Sequence, residues 1–221
     1  MKKMKPEPID DDLIISLNFQ HGVCLTQTEE PSDYVYEIGG GIDVVDEGGD
    51  GQTIGKLTMF MFDIAKGVNA GFDPFTIIDS WSQESYEYGQ AIYGGSDPMS
   101  DTLNGSYELS EAASDLTEGG SIDRILVLNT MRINPEWRGH QIGLKGLHAA
   151  TLMYGHASFV IMKPWPLVEE GQPKLSPAVR RKGQLKLQKY WKRLGFQRMG
   201  KSDFFGMYHP EDNLQQLNDV L

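Results

Sequence analysis

A cation and two glycines stand between an apolar run and a helical pattern in "NPEWRGHQIGLKG", residues 134–146. Arg138 supplies a permanent charge with several donors in a planar fork. Gly139 and Gly143 let a bulky group approach the backbone. The first turn of a helix carries N–H groups without intrahelical partners, at the positive end of the helix dipole. Together these features suit an anion such as a phosphate or pyrophosphate. The same residues also suit an ordinary turn in which the glycines only ease the bend. Neither a Walker pattern nor a dinucleotide G-x-G-x-x-G accompanies them.

The turn needs a strand before it and a helix after it. "RILVLNTMRI" lies in a strand predicted over 122–133, stopped by Pro135. A helix follows over 140–154, with Ile142, Leu147, Ala150 and Tyr154 on one side. Upstream, "DLIISLNF" (12–19) reads as a strand. "YVYEIGGGIDVV" and "TIGKLTMFMFDI" form a hairpin around the glycine-rich "DEGGDG" (46–51). That loop faintly resembles a calcium loop but lacks the closing glutamate. Ile77, Ile78, Trp81, Ser85, Tyr88 and Ile92 predict one amphipathic helix over 73–93, capped by Asp73 and opened by Pro74. "YELSEAASDL" reads as a shorter helix. Downstream come a strand (157–165), a proline-rich loop (163–177), a basic helix (180–195) and a closing hairpin of "FQRMG" with "DFFGMYH".

The chain has 221 residues and a net charge of −11. That suits a single domain over 11–221 behind a disordered tail, 1–10. Residues 1–135 carry 7 Lys and Arg against 24 Asp and Glu, whereas 136–201 carry 13 against 3. An acidic part (11–120) thus precedes a basic core (121–209), and each could favour an ion of opposite sign. Acidic surfaces also serve solubility alone. The overall charge argues against nucleic acid as a partner. No apolar run approaches a membrane span, so no membrane partner is expected. One cysteine, Cys24, excludes an internal disulfide and a multi-cysteine metal site, and a cytoplasmic setting fits best. The histidines lack partners at ligand spacing, so no metal is expected.

The stretch "NPEWRGHQIG" resembles the GNAT superfamily of acetyl-CoA-dependent N-acetyltransferases, whose signature is a strand, often ending in a proline a few residues before Arg/Gln-x-x-Gly-x-Gly/Ala, followed by a helix. Pro135, Arg138 and Gly143 match it, and Gly139 matches the common Arg-Gly opening. Gln141 stands where the first motif glycine is usual. A later segment, "QLKLQKYWKRLGF" (184–196), is similar to the family's second helix, with Gln184 in place of Asn and Trp191 in place of Tyr. The resemblance covers about 121–209. It implies an α/β (α+β) fold: a mixed, mostly antiparallel twisted sheet of six to seven strands flanked by helices, with a splayed strand pair around the cofactor.

By position, the resemblance assigns backbone groups of Met131 and Ile133 to the pantetheine arm. It assigns the N–H groups of Arg138, Gly139, His140, Gln141, Ile142, Gly143 and Leu144 to the pyrophosphate, with Lys145 at the rim and Gln184 on the arm. Lys182, Lys186 and Lys189 either meet the adenosine 3′-phosphate or form a solvated basic face. The reaction implied is attack of a primary amine on acetyl-CoA, in which a base, an acid and oxyanion donors assist. The family's strand carboxylate falls on Val127 here. Strand alternation puts Asp123 and Asn129 on one face, as a base through water and its orienting group. Tyr190 is the general-acid candidate. Asp79, Trp81 and Glu84 suit a cationic acceptor, and Trp165 either lines the substrate mouth or anchors its loop. A homodimer is compatible with this reading. Two alternatives stay open: a coenzyme-A-binding regulatory or interaction module without transfer, and an acyltransferase whose donor is an acyl carrier protein docked on the basic helix.

Overall fold

The computed structural model describes residues 14–21, 30–45, 51–94, 108–156, 158–168, 173 and 175–214. The expected tail, Cys24 and all but Gly51 of the 46–51 loop lie outside them. Seven strands form one sheet: β1 (Ile14–His21), β2 (Val35–Val45), β3 (Gly51–Asp63), β4 (Arg124–Ile133), β5 (Phe159–Met162), β6 (Gln197–Arg198) and β7 (Phe205–Tyr208). Their order is β1-β2-β3-β4-β5-β7-β6. Every pair is antiparallel except β4 with β5. This is the mixed, mostly antiparallel sheet the sequence predicts. The helices among the described residues are α1 (Ile64–Asn69), α2 (Pro74–Asp79), α3 (Gln83–Tyr93), α4 (Glu111–Thr117), α5 (Ile142–Tyr154), α6 (Pro177–Arg193) and α7 (Pro210–Asn213). None is long and apolar enough to cross a membrane.

The sheet separates two cores, and strand alternation decides which residue enters which. On one face Leu57, Met59 and Met61 of β3 and Leu126 and Leu128 of β4 pack under α5 and α6, against Leu144, Leu147, Trp191 and Leu194. On the other, Phe62, Ile125, Val127, Phe159 and Ile161 pack under α2, α3 and α4. Each large side chain fully buried this way contributes about 1.5–3 kcal/mol of transfer free energy.

A bulge interrupts this alternation at a consequential place. Thr58 pairs with Thr130, but Met59 pairs with Leu128, so Asn129 is an extra residue in β4. An inserted residue reverses which face the following side chains meet. Leu128 faces the α5–α6 core, and beyond the bulge the odd-numbered Met131 also packs against it. A Cβ placed on Gly143 of α5 would lie 3.5 Å from the Met131 sulfur and 3.7 Å from Ile133. The bulge therefore keeps the apolar residues of β4 under α5 and frees Asn129 from the ladder.

Several boundaries depart from the sequence reading; the helix expected in "YELSEAASDL", for one, runs from Glu111 to Thr117 behind its Ser110 cap. The single helix expected over 73–93 is two helices, α2 and α3. Ser82 is extended (φ −165°, ψ 162°) and caps α3, accepting from the Ser85 N–H at 3.2 Å, while its own N–H donates to the Ser85 hydroxyl at 2.9 Å. Trp81 keeps the apolar spacing across the break and packs on Phe60, ring centroids 5.3 Å apart, which is why periodicity alone does not reveal it. The strand expected over 157–165 stops at Met162, since Pro164 and Pro166 cannot continue a ladder. The basic helix starts earlier, at Pro177 behind the Ser176 cap. Ser82→Ala should cost about 1 kcal/mol of unfolding free energy, measured by urea denaturation. An unchanged midpoint would mean the break is held by Trp81 packing alone.

Candidate functional site

β4 and β5 pair only at Ile125–Phe159, Leu126–Val160 and Val127–Ile161. Beyond Val127, β4 runs on to Ile133 paired with β3 alone. A cleft of about 270 Å³ opens between the strands beyond that point. Its walls are Asn129, Met131 and Ile133 of β4, Lys163 to Trp165 after β5, Gly143 and Leu147 of α5, and Leu187, Tyr190 and Trp191 of α6. An outer cavity of about 390 Å³ shares Met131, Ile133, Arg138, Trp165 and Leu187 with it and adds the basic Arg132 and Lys186.

The edge of β4 that faces the cleft is polar. The Asn134 N–H bonds the Ile54 carbonyl of β3 at 2.8 Å. Backbone groups of an antiparallel strand alternate sides, so those of Met131 and Ile133 point to the cleft. The Ile133 carbonyl accepts from Arg138 Nε at 2.9 Å. Arg138 is therefore a strut between the strand edge and the turn, as well as a wall of both cavities.

The turn itself is strained. Gly139 has φ +98° and Gln141 φ +62°. Gln141 is left-handed and Ile142 begins the right-handed α5. Successive residues of opposite hand turn their N–H groups toward one point and form an anion-binding concavity. The Gln141 carbonyl takes the N–H groups of both Leu144 (2.9 Å) and Lys145 (3.0 Å). Leu144, expected in the cradle, therefore closes the helix instead, and the N–H groups of Ile142 and Gly143 precede the ladder. The side chains of Ile142 and Leu144 enter the core. Gly139 and His140 belong to the turn but line neither cavity.

Tyr190, the general-acid candidate, lines the cleft. Its hydroxyl lies 3.1 Å from where a Gly143 Cβ would be, over the mouth of α5. Burial pushes this hydroxyl above its ordinary pKa, against a smaller opposing effect of Arg193. It is a neutral donor at the α5 end of the cleft. Gly143 is thus small partly to make room for the protein's own tyrosine. Gln184 is buried at 3% exposure, its Oε1 accepting from Arg181 at 3.2 Å, and does not line the cleft.

Asn129 is the one residue common to the cleft and to a smaller cavity on the opposite face of the sheet. The second cavity, about 10 Å³, has room for one water-sized group. Phe60, Trp81, Glu84, Ser85 and Tyr88 surround it. Burial pushes the Tyr88 hydroxyl up, Glu84 adds to this, a backbone hydrogen bond with Lys163 opposes it, and Glu87 adds to it again. Lys163 pairs with Glu87, so α3 is tied to the segment after β5. Trp165, 41% exposed, lies between the Lys163 ammonium (5.5 Å) and the Arg180 guanidinium (5.1 Å) at the cleft wall.

The structure thus brings Asn129, Met131, Ile133, Arg138, Gly143, Trp165 and Tyr190 to one cleft, and Trp81 and Glu84 to its far side. It does not bring Asp123 there. Asp123 precedes β4, its carbonyl accepts the Ala65 N–H at 2.9 Å, and six residues of strand, about 20 Å, separate it from Asn129. Asp79 ends α2 at the surface and lines neither cavity. Lys163 is a charged wall residue that spacing did not mark. Its signal was a cation at the point where prolines end the strand. Among the described residues no group of histidine, cysteine and carboxylate side chains could hold a metal.

Gln141→Gly should remove the left-handed strain and raise unfolding free energy by up to about 1 kcal/mol. A loss of stability on denaturation would show that the glutamine side chain holds the turn. No family model, curated protein or solved structure matches the chain.

Proposed function

We propose that the chain is a GNAT-type acyltransferase that binds acetyl-CoA in the cleft and acetylates a cationic primary amine reaching Asn129 from the α3 side. The observation that carries this reading is the parting of two parallel strands over a cleft that leads to the strained N-terminus of α5. A cleft with one polar strand edge suits an extended arm with amide groups, which can pair with it as a further strand does. The Ile142 and Gly143 N–H groups, Arg138 and the Tyr190 hydroxyl suit a diphosphate. Arg132 and Lys186 make the outer cavity positive.

When bound, the coenzyme supplies an acyl group activated as a thioester. The chain's own part is positional. The Met131 and Ile133 backbone holds the arm along β4, and an N–H near Met131 polarises the acyl carbonyl. Asn129, released from the ladder by the bulge, orients the amine. Glu84, at the rim of the aromatic cavity, attracts the ammonium head, which alone fills that cavity, and takes its proton directly. Phe60, Trp81 and Tyr88 offer ring faces to the cation.

Arg138→Ala should weaken coenzyme A binding about tenfold or more, since a charge-assisted contact and the strut on Ile133 are lost together. Calorimetry reads it, and wild-type affinity in the variant would reject the cradle. Glu84→Gln should raise KM for a diamine several-fold and leave coenzyme A affinity unchanged. An equal effect on an uncharged acceptor would reject the role of Glu84. The cleft wall carries no carboxylate among the described residues, which favours a second reading: a module that binds coenzyme A without transfer. Thermal stabilisation by coenzyme A without thiol release across polyamines, aminoglycosides and basic peptides would select it.

A further inference from the structure

The aromatic cavity behind Asn129 holds one water-sized group, so an acceptor leaves its ammonium head there and carries the rest of its body outside. Burial of the walls fixes the way out. Phe62, Ser85, Tyr88 and Val127 are buried, whereas Phe60 and Trp81 are half-buried and Ser82 and Glu84 exposed. The opening therefore lies on the side of Phe60, Trp81 and the start of α3.

Strand register says what the emerging body meets. Phe60 of β3 stands opposite Val127 of β4 on one side and Glu37 of β2 on the other. Opposed residues of antiparallel strands share a face, with Cβ atoms about 4.5–5.5 Å apart. Phe60 and Val127 belong to the core under α2 and α3, so Glu37 is on that face as well. It is exposed, and among the described residues no cation pairs with it or with Glu84. Gly39, two residues along β2, shares the face. A Cβ there would meet nothing within 4 Å, so the floor beyond Glu37 is open. The nearest basic residue of β3 on this face, Lys56, is four residues from Phe60, about 13 Å along the strand. An emerging chain thus has Glu84 at its head and Glu37 one strand away, beside the open floor at Gly39.

We infer that the acceptor is a small linear diamine or polyamine whose second ammonium pairs with Glu37, an assignment that rests on the acyl-transfer reading above and narrows it. A cavity for one water-sized group admits an unbranched –CH2–NH3+ end better than a ring amine, whose nitrogen has two carbon branches beside it. A neutral tail gains nothing from Glu37, and an anionic tail is repelled by it. Glu37 meets the tail and not the reacting atoms. It is a specificity residue, and its effect falls on KM rather than kcat.

Acceptors that differ only in the far end isolate the second charge. They are linear α,ω-diamines, amino alcohols and ω-amino acids of four to six carbons, long enough to pass one strand spacing of about 4.8 Å. Thiol release from acetyl-CoA is the readout. In the wild type KM should be lowest for the diamine, about threefold below the alcohol of the same length, the size of an exposed ion pair. The amino acid should have the highest KM. Glu37→Gln should bring diamine and alcohol together. A second measurement needs no variant: the wild-type preference should shrink between about 20 and about 500 mM salt, which screens an exposed pair. Equal KM for diamine and alcohol at every length, a preference that persists in Glu37→Gln, or one indifferent to salt overturns the assignment and leaves acyl transfer standing. So does thiol release from a basic peptide but from none of these amines. Release from no amine at all, with or without coenzyme A binding in calorimetry, overturns the transfer reading as well.

Discussion

Two parallel strands that cannot stay paired set the rest of the structure. β5 lasts four residues before its prolines, while β4 runs for ten. The unmatched end of β4 leaves a row of backbone donors and acceptors facing inward, and buried groups of that kind need partners. Arg138 supplies one by binding the Ile133 carbonyl. The remaining edge, at Met131 and Ile133, faces the cleft. The bulge at Asn129 belongs to the same arrangement. It lets Leu128 and Met131 face the same core and sets one polar side chain between the two faces of the sheet.

The turn after β4 is joined mechanically to that edge. The Arg138 strut fixes the turn relative to the strand, so the first N–H groups of α5 sit at a set distance from the cleft-facing backbone of β4. Left-handed Gly139 and Gln141 make the concavity. The strain in Gln141, a residue with a Cβ, is the cost of aiming the Ile142 and Gly143 N–H groups at one point. Tyr190 closes over the same mouth from α6, so three elements converge there. On the other face Glu87 and Lys163 tie α3 to the end of β5, which holds the aromatic cavity against Asn129.

Much of this was legible. Alternation in β2, β3 and β4, Pro135 as a stop, and the apolar spacing of α5 define elements through local rules. The resemblance of the two motif segments implied a strand pair that splays, and β4 and β5 part after Val127. What stayed hidden depends on register or on rotation about a helix. Asp123 and Asn129 share strand parity, but parity says nothing of where the cleft begins, and Asp123 lies at the paired end. Tyr190 and Trp191 are neighbours in sequence, and only the packing of α6 decides which hydroxyl or indole points where. Gln184 matches a motif position, yet its amide turns to Arg181 rather than to the cleft. Trp81 satisfies a helical period across a break that a serine pair creates.

Amide hydrogen exchange with and without coenzyme A tests the strand edge and the turn together in the unmodified protein. The expected result is slowed exchange at Met131 and Ile133 and across residues 138–143, with the paired segment Ile125–Val127 unchanged. Exchange that stays the same at 131–133 while coenzyme A demonstrably binds would place the ligand elsewhere and contradict the cleft as its site.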